Sequence, residues 1–424
     1  MIRLLAIHKS LVKWAFSLKI SPLNPISRKM RSRPRLSQWH LLAGIALLAI
    51  VLTGCTGRDV IGSARGWTPV TVSDGIVYTA TRDGDVLALD SQALDRDEDA
   101  GNVWKYDPPK DRELGAVFGP PAVGEKFIFI GSSTNDGDTG KLIALRKDRE
   151  SSRRIEEDEW DKVIPGAIIG GPTLAQGMVL VGSEDGKLYA FDAENGERIW
   201  TFATEGLKRD KGKEKRIWST PTVADGAVYF GAMDDYLYAV SLDDGSELWK
   251  FETDGAVITT PLVVGTKVIF GSFDRKLYAL DASDNGRLLW SFEADNWFWA
   301  GPISDGEMVY AANMDGKVYA LPLDRQDDDA PEWTQKLGDI ISSTPVLIGD
   351  RLVVTTEGGI VSLLDTSDGT VEEIPIELAN KVRAPLSSEG PDGPARFYVG
   401  DRNGVVTSID VERWRLSWTV RTRE

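Results

Sequence analysis

The stretch TPTVADGAVYFGAMDDYLYAVSLDDGSELWKF, at Thr220–Phe251, decides the fold because it holds one complete structural unit. Its runs AVYFG, LYAV and ELWKF are rich in β-branched and aromatic residues, which is typical of β-strands. Asp225-Gly226, directly before AVYFG, is a dipeptide favoured in tight hairpins, where the backbone needs positive φ, so it joins a short first strand to this run. The unit therefore predicts a four-stranded antiparallel meander.

The unit recurs along the chain, most clearly as TPLVVGTKVIFGSFDRKLYALDASDNGRLLWSF at Thr260–Phe292. Eight copies are anchored by prolines spaced 40 to 52 residues apart, a spacing typical of propeller blades: Pro69, Pro121, Pro172, Pro221, Pro261, Pro302, Pro345 and Pro385. We predict an all-β, eight-bladed β-propeller of four-stranded antiparallel blades over residues 67–424. Propellers often close by having the N-terminal strand complete the last blade, but Trp418–Arg421 already resembles that last outer strand, so the sequence leaves closure by packing alone as an alternative.

The amino terminus contains an apolar run, Leu41–Leu52, that is shorter than the roughly 20 residues of a membrane-spanning helix. The run ends in Leu52-Thr53-Gly54-Cys55, which resembles the lipobox of bacterial lipoproteins and implies cleavage before Cys55 and lipidation of that residue. We therefore predict a signal peptide over residues 1–54, with Met30 as an alternative start, and a lipidated tether over residues 55–66. The alternative is a short uncleaved anchor.

Charge and composition narrow the function classes. Residues 1–54 hold nine of the 49 Lys and Arg and none of the 65 Asp and Glu, which leaves 40 basic against 65 acidic residues beyond them. Such an excess repels phosphate backbones, so we expect no nucleic-acid partner. Both histidines, His8 and His40, precede the single cysteine, Cys55, so the exported part has no imidazole for acid–base catalysis and no disulfide.

The repeats resemble a known family. The segment AFDAENGERIW, at Ala190–Trp200, is similar to the blade motif of pyrroloquinoline-quinone (PQQ) dehydrogenases and their non-catalytic relatives. Eight such repeats behind a lipobox resemble most closely the outer-membrane assembly lipoproteins of the BamB family. The resemblance implies that the tryptophan closing each repeat braces neighbouring blades, and the residues in this structural role are Trp104, Trp160, Trp200, Trp249, Trp290, Trp333 and Trp418. Repeat seven departs from the motif, with Glu373 in place of tryptophan.

Chemistry has little support in the sequence. The quinone-dependent enzymes that the repeats resemble pair their cofactor with a Ca²⁺ site, and their alcohol dehydrogenases often carry adjacent cysteines, which this chain lacks. The oxygen-rich loops Asn135–Asp138 and Asp83–Asp85 could suit calcium, but hairpin turns explain both. We expect no catalytic residues, no resident metal and no cofactor.

Partner contacts have three candidates. The residue three before the proline in blades 2 to 8 is predicted to form a ring at the channel: Phe118, Ile169, Trp218, Ile258, Trp299, Ser342 and Val382. The aromatic run Asn296–Trp299 has no equivalent in other repeats, which makes Trp297, Phe298 and Trp299 candidate anchors, although Trp297 and Trp299 could instead fill the wide ring. The insertion at 207–217 concentrates positive charge, and its candidate partner-binding residues are Lys208, Arg209, Lys211 and Lys213.

These patterns lead to one hypothesis and two alternatives. We expect a monomeric propeller within a larger complex, anchored by lipid to the outer membrane or to the outer face of the cytoplasmic membrane. It would dock envelope proteins without catalysis, in outer-membrane protein assembly if the cell has that membrane. The alternatives are a propeller that binds a carbohydrate, peptide or quinone, and a quinone-dependent oxidoreductase.

Overall fold

The computed structural model describes residues 67–81, 84–94, 101–106, 114–134, 137–148, 154–155, 158–205, 215–372, 376–389 and 396–422. A division of the chain after Gly62 places all of them in the unit Ser63–Glu424. They form eight sheets, arranged as the blades of an all-β propeller, and this confirms the predicted fold class. The described helices are two short ones, α1 at Ser91–Leu94 and a 3₁₀ turn at Ala282–Asp284.

The first four blades follow one another in chain order. Blade 1 contains β1 (Val70–Ser73), β2 (Ile76–Ala80), β3 (Val86–Asp90) and β4 (Asn102–Tyr106); blade 2 contains β5 (Ala122–Val123), β6 (Phe127–Ser133), β7 (Thr139–Arg146) and β9 (Trp160–Pro165). Blade 3 contains β10 (Thr173–Ala175), β11 (Met178–Gly182), β12 (Lys187–Asp192) and β13 (Arg198–Ala203); blade 4 contains β14 (Thr222–Ala224), β15 (Ala227–Gly231), β16 (Tyr236–Ser241) and β17 (Glu247–Glu252). In each blade the first strand is the innermost.

The last four blades have the same order. Blade 5 contains β18 (Leu262–Val264), β19 (Lys267–Gly271), β20 (Lys276–Asp281) and β21 (Arg287–Glu293); blade 6 contains β22 (Ile303–Ser304), β23 (Met308–Ala312), β24 (Lys317–Pro322) and β25 (Trp333–Lys336). Blade 7 contains β26 (Val346–Ile348), β27 (Arg351–Thr355), β28 (Val361–Asp365) and β29 (Val371–Glu372); blade 8 contains β30 (Ser387–Ser388), β31 (Arg396–Gly400), β32 (Val405–Asp410) and β33 (Arg415–Arg421). Within each of these four-stranded blades, neighbouring strands pair antiparallel.

The middle strands are apolar on both faces because each blade packs between two others. In β15, Val228 and Phe230 point toward blade 3, whereas Tyr229 points toward blade 5. All five residues of β15 are buried. A strand covered on both faces reads as a continuous apolar run rather than as an alternating one, which explains the sequence AVYFG.

The inner hairpins use the turn chemistry that the sequence predicts. Asp225 and Gly226, between β14 and β15, have φ of 49° and 76°. Positive φ at both central residues matches the twist of a two-residue hairpin, and aspartate and glycine tolerate that conformation better than other residues do.

A glycine of one blade forms the seat for the closing tryptophan of the preceding blade. The indole of Trp200 lies on Gly245, where a β-carbon would come within 2.5 Å of the ring, and its Nε1 donates to the carbonyl of Leu242 at 2.9 Å. The same arrangement places Trp160 on Gly196, Trp249 on Gly286 and Trp333 on Gly369. In a repeat with Gly-x-x-x-Trp, the glycine thus contacts the tryptophan of the preceding blade, and the tryptophan contacts the following blade.

The seams between blades 5 and 6 and between blades 7 and 8 are built differently. Trp290 of blade 5 is covered by the guanidinium of Arg325, which lies 5.4 Å from the ring centroid and donates from Nη1 to the carbonyl of Ser291 at 2.7 Å. In blade 8 the position of the seat glycine is held by Trp414, with φ of 47°. The Trp414 side chain packs into the core that blades 7 and 8 share. Glu373, the predicted departure in blade 7, lies outside the described residues.

The ring closes without exchange of a strand between its ends. The outer strand of blade 8 is β33, from the carboxyl terminus, and its Trp418 packs with Val77 and Leu87 of blade 1. At the opposite flank, Trp104 of blade 1 packs with Ile128 and Ile143 of blade 2. Among the described residues, packing of complete blades therefore closes the propeller, which is one of the two arrangements that the sequence leaves open.

The blade 1 sheet has a fifth strand that the sequence did not predict. The segment β8 (Arg154–Ile155) pairs in parallel with β4, with Lys105 opposite Arg154 and Tyr106 opposite Ile155. This segment belongs to the mixed-charge insertion at 146–162, which leaves blade 2 and reaches the outer edge of blade 1. The sequence does not indicate this pairing, because β8 meets the edge of blade 1 only after the blades have packed.

Candidate functional site

A cavity of about 540 Å³, open to solvent, lies where the strands enter the blades around the channel. Six of the seven predicted ring residues line it: Phe118, Ile169, Trp218, Ile258, Trp299 and Ser342. We call this space the mouth cavity. The same repeat position therefore projects into one space from six consecutive blades.

The prediction is wrong for blade 8 by one residue. Val382 is fully buried among Leu378 and Val399, whereas the next residue, Arg383, lines the mouth cavity. Blade 1 contributes Trp67, whose ring meets Phe118 edge to face at 5.5 Å.

The mouth cavity is apolar on one side and polar on the other. Trp218 and Trp299 lie 6.4 Å apart on the apolar side, and Nε1 of Trp218 donates to Oε1 of Glu184 at 3.0 Å. On the polar side, Nε of Arg383 lies 2.9 Å from Oε1 of Glu357. Glu357 is buried and also accepts a hydrogen bond from Ser342 at 3.1 Å.

A row of aromatic rings leaves the apolar side of the cavity, and its outermost ring is exposed. Trp299 contacts Phe273 at 5.8 Å, and Phe273 stacks on Trp297 at 5.0 Å with an interplanar angle of 15°. Trp297 is 47% exposed, so the face of its indole that does not meet Phe273 is accessible. We call Trp218, Trp299, Phe273 and Trp297 the aromatic ridge.

Phe298 does not belong to this surface, which corrects its assignment as a partner-binding candidate. Its side chain is fully buried in the core of blades 5 and 6, near Tyr319. Because neighbouring side chains of an extended chain point to opposite sides, the residue between two surface tryptophans turns inward. Phe118 is also almost fully buried, at 2% exposed, and contributes only an edge to the cavity wall.

Phe273 is the functional candidate that the sequence analysis missed. It follows the second strand of its blade, and the corresponding residues elsewhere are Glu184, Met233, Met314, Glu357 and Arg402. The backbone N–H of each of these residues donates to the chain segment that enters its own blade, as from Phe273 to Ala256 at 2.9 Å. Comparison of this position across repeats would have found a second ring, which is apolar in blades 4 to 6 and charged in blades 3, 7 and 8.

Other candidates fall outside the described residues. These are Cys55 with the signal and tether segments, and Lys208, Arg209, Lys211 and Lys213 of the basic insertion. At the end of that insertion, Arg216 lies 3.7 Å from Glu184.

The described residues contain no group of three or more His, Cys, Asp or Glu side chains placed to hold a metal ion. Of the two oxygen-rich loops, Asp85 pairs with Lys105 at 3.0 Å, and parts of both loops lie outside the described ranges. In the described part of the chain, no helix has the length and apolar character needed to cross a membrane.

Comparison with protein families finds a match over most of the propeller. The sequence profile of the family described as outer membrane protein assembly factor BamB matches residues 92–212, 207–296 and 283–424. Among solved structures, BamB from Moraxella catarrhalis aligns with a TM-score of 0.64 at 18% identity, over 80% of this chain and 95% of that one. Quinohemoprotein alcohol dehydrogenase from Comamonas testosteroni aligns with a TM-score of 0.59 at 15% identity, over 81% of this chain and 71% of that one. At these identities the structural likeness concerns the fold.

Curated relatives match shorter stretches. The outer membrane protein assembly factor BamB of Xanthomonas campestris is 32% identical over 106 residues, which cover 24% of this chain and 22% of that protein. The quinohemoprotein alcohol dehydrogenase of Comamonas testosteroni is 30% identical over 147 residues, which cover 31% of this chain and 19% of the enzyme. The matches thus span only about a fifth of the length of these two relatives.

Proposed function

The chain belongs to the family of the outer membrane protein assembly factor BamB, and from this membership we propose that it is a non-enzymatic docking scaffold of the cell envelope. The proposed partners are envelope proteins that assemble outer-membrane proteins. A lipid on Cys55 would hold the propeller at a membrane, either the outer membrane or the outer face of the cytoplasmic membrane.

The aromatic ridge is the observation that carries the proposal. A large exposed ring on a rigid surface, as Trp297 is, buries much apolar area when a partner covers it, and tryptophan is enriched among residues that dominate binding energy. Trp297 needs no rearrangement to present its free face, because Phe273 already fixes the opposite face of the indole. Met314 of blade 6 lies close by, since its backbone N–H donates to the carbonyl of Trp297 at 2.9 Å.

The charged groups near the ridge support docking over catalysis. Glu184 is engaged by Trp218 and lies near Arg216, and Glu357 is engaged by Arg383 and Ser342. Carboxylates held by such contacts fix the positions of neighbouring surface side chains. A general acid or base, by contrast, must be free to reach a substrate proton. The absence of histidine after His40 in the sequence further weakens an acid–base mechanism.

A crosslinking pull-down from the organism's own membranes tests docking. We expect the lipidated propeller to recover a small set of envelope proteins and Trp297→Ala to recover at least fivefold less of them. Leu248→Ala is the matched control, because Leu248 is 50% exposed on an outer strand away from the mouth. Equal recovery by wild type and Trp297→Ala would refute docking through the ridge.

Fractionation of the same cells tests the anchor. We expect the wild-type chain in the membrane fraction and Cys55→Ser in the soluble or unprocessed fraction, because a diacyl anchor holds a protein at a membrane more firmly than a single chain does. A membrane-bound, normally processed Cys55→Ser protein would contradict lipidation at this residue.

A further inference from the structure

We infer that the mouth cavity receives one large apolar side chain from an extended, uncharged segment of the docked partner, with a backbone carbonyl of that segment accepting a hydrogen bond from Arg383. This inference rests on the proposed docking function, since the same partner would lie across the aromatic ridge. It assigns to the cavity a ligand of defined chemistry, an internal peptide segment rather than a charged chain end.

The shape and lining of the mouth cavity suit one side chain. The space of about 540 Å³ is open to solvent, so a side chain can enter it from outside. Trp218, Trp299 and Ile258 form an apolar wall, and Trp299 also belongs to the ridge, so a segment lying on Trp297 and Phe273 leads directly into the cavity.

A polar rim surrounds this wall. Thr220, Thr260 and Thr344, from blades 4, 5 and 7, line the same space. The hydroxyls of Thr220 and Thr344 accept hydrogen bonds from the backbone N–H groups of Gly171 and Gly301, at 2.8 and 3.1 Å. An apolar centre within a polar rim is the usual anatomy of a protein contact.

Arg383 determines the charge of the group that the polar side can accept. Its Nε and Nη2 face Glu357, at 2.9 and 3.2 Å. Nη1 makes no hydrogen bond to any residue that the structure describes, and the side chain retains 20% of its exposure at the cavity. The Nη1 group of a neutralised guanidinium is therefore available to donate to a ligand.

A carbonyl fits this donor better than a carboxylate does. Glu357 already balances the guanidinium charge, so a second carboxylate would meet repulsion from Glu357 in a space partly shielded from water. The exported part, with 65 acidic against 40 basic residues, adds to that repulsion. A backbone carbonyl accepts the hydrogen bond without either cost.

Fluorine NMR with short peptides tests the inference on the complete propeller. The first probe is N-acetyl-Gly-Ser-Phe-Ser-Gly-amide with a fluorinated phenylalanine ring. The second probe, N-acetyl-Gly-Ser-Phe with the same fluorinated ring, ends in a free carboxylate at phenylalanine. We expect line broadening for the blocked peptide and at least threefold weaker binding of the free acid. Tighter binding of the free acid, or no broadening of the blocked peptide at millimolar concentration, would overturn the inference.

Two variants locate the binding. Thr260→Trp places a ring in the cavity from an exposed position, and Thr201→Trp makes the same change on the exposed outer strand β13 as a control. We expect Thr260→Trp to abolish broadening and Thr201→Trp to leave it unchanged. The pair Arg383→Met and Glu357→Gln, made together so that no buried charge is left alone, should weaken binding roughly five- to tenfold through loss of a charge-assisted hydrogen bond.

The same variants separate this inference from the docking proposal. If Thr260→Trp abolishes peptide binding and reduces recovery of envelope proteins, both stand. If Thr260→Trp recovers partners as well as wild type while Trp297→Ala does not, docking stands and insertion into the cavity is wrong. If the wild type recovers no specific partner, the docking proposal fails, whatever the peptide result.

Discussion

Blades 3 to 5 and blades 7 to 8 derive from the same repeat, yet they solve the contact between neighbours in opposite ways. Between blades 3 and 4, Trp200 reaches across the seam and Gly245 makes room for it. Between blades 7 and 8, the repeat of blade 7 lacks the tryptophan, and Trp414 stands where blade 8 would have the seat glycine. Trp414 of blade 8 thus fills the seam that a tryptophan of blade 7 would otherwise fill.

The exchange teaches that the seam requires a volume rather than a particular residue. Trp414 adopts positive φ, which costs a non-glycine residue about 1–2 kcal/mol. Burial of part of a large ring against the core of blades 7 and 8 offsets that cost. The missing tryptophan of blade 7 and the missing seat glycine of blade 8 therefore explain each other. Neither can be interpreted from its own blade alone.

The mouth differs between the same two regions. Blades 4 to 6 present Met233, Phe273 and Met314 after their second strands, whereas blades 7 and 8 present Glu357 and Arg402 at that position. Backbone hydrogen bonds at this position are the same in both regions, so the fold does not require either set. The side chains at this position are therefore free to contribute to the binding of a partner.

Loss of a regular seam should produce the largest effect. Trp200→Ala removes a buried ring and its hydrogen bond to Leu242, so we expect the free energy of unfolding to fall by about 3–5 kcal/mol. The half-buried Trp414 should lose about 1–2 kcal/mol on the same change, because less of its surface is covered. Urea unfolding measures both, and equal losses would show that the two seams do not differ.

Changes at the seat should also separate the seams. Gly245→Ala places a β-carbon 2.5 Å from Trp200 at φ of 72°, and we expect a loss of about 2–4 kcal/mol from backbone strain and crowding together. Trp414→Gly, at the equivalent position, relieves positive φ while it removes packing, so its net change should stay within about 1.5 kcal/mol. A Gly245→Ala protein as stable as wild type would refute the seat assignment.

Alkaline pH should weaken the regular blades through their buried tyrosines. In blades 3 to 5 a tyrosine of the third strand donates to an aspartate four residues earlier, as Tyr278 does to Asp274 at 2.6 Å, whereas blades 7 and 8 have Ser362 and Thr407 at that position. Burial, with the hydrogen bond and charge of Asp274, raises the pKa of Tyr278 far above its usual value. The resulting stabilisation is complete below the unfolded pKa of about 10 and decreases as pH rises toward the folded pKa.

Tyr278→Phe isolates this contribution. Above pH 10, wild type should lose about 1.4 kcal/mol per pH unit more than Tyr278→Phe does, because only wild type has this phenol to ionise on unfolding. Burial likewise raises the pKa of Tyr78 to about 12, so blade 1 should add to the loss in both proteins. Parallel urea midpoints for the two proteins from pH 8 to 11 would contradict the prediction.

The smallest effect on stability should come from the ridge. Trp297→Ala removes an exposed ring that stacks only on Phe273, so we expect a loss below about 1 kcal/mol. Thermal unfolding beside Trp200→Ala provides the comparison. A loss as large as that of Trp200→Ala would mean that Trp297 fills the ring and is not available to a partner.

Short-range patterns in the sequence determined the blade count, the inner hairpins and the spacing of glycine and tryptophan. They also placed six residues of the mouth cavity, because residues three positions before equivalent prolines enter equivalent blades of the ring. These features repeat every 40 to 52 residues, so eight copies support one interpretation. Trp200 and Trp249 were the easiest to recognise, because each follows a glycine of its own repeat by four residues and lies on a glycine of the next blade.

Only the tertiary structure decided which side chains meet between blades. It turned Phe298 inward, replaced Val382 by Arg383 at the mouth, stacked Phe273 beneath Trp297 and brought β8 to the edge of blade 1. Each of these contacts depends on a register or a loop path that involves a segment distant in sequence, and a one-residue shift in an extended chain reverses the face of a side chain. The sequence specifies each strand locally, but contacts across a seam arise only once two blades are packed together.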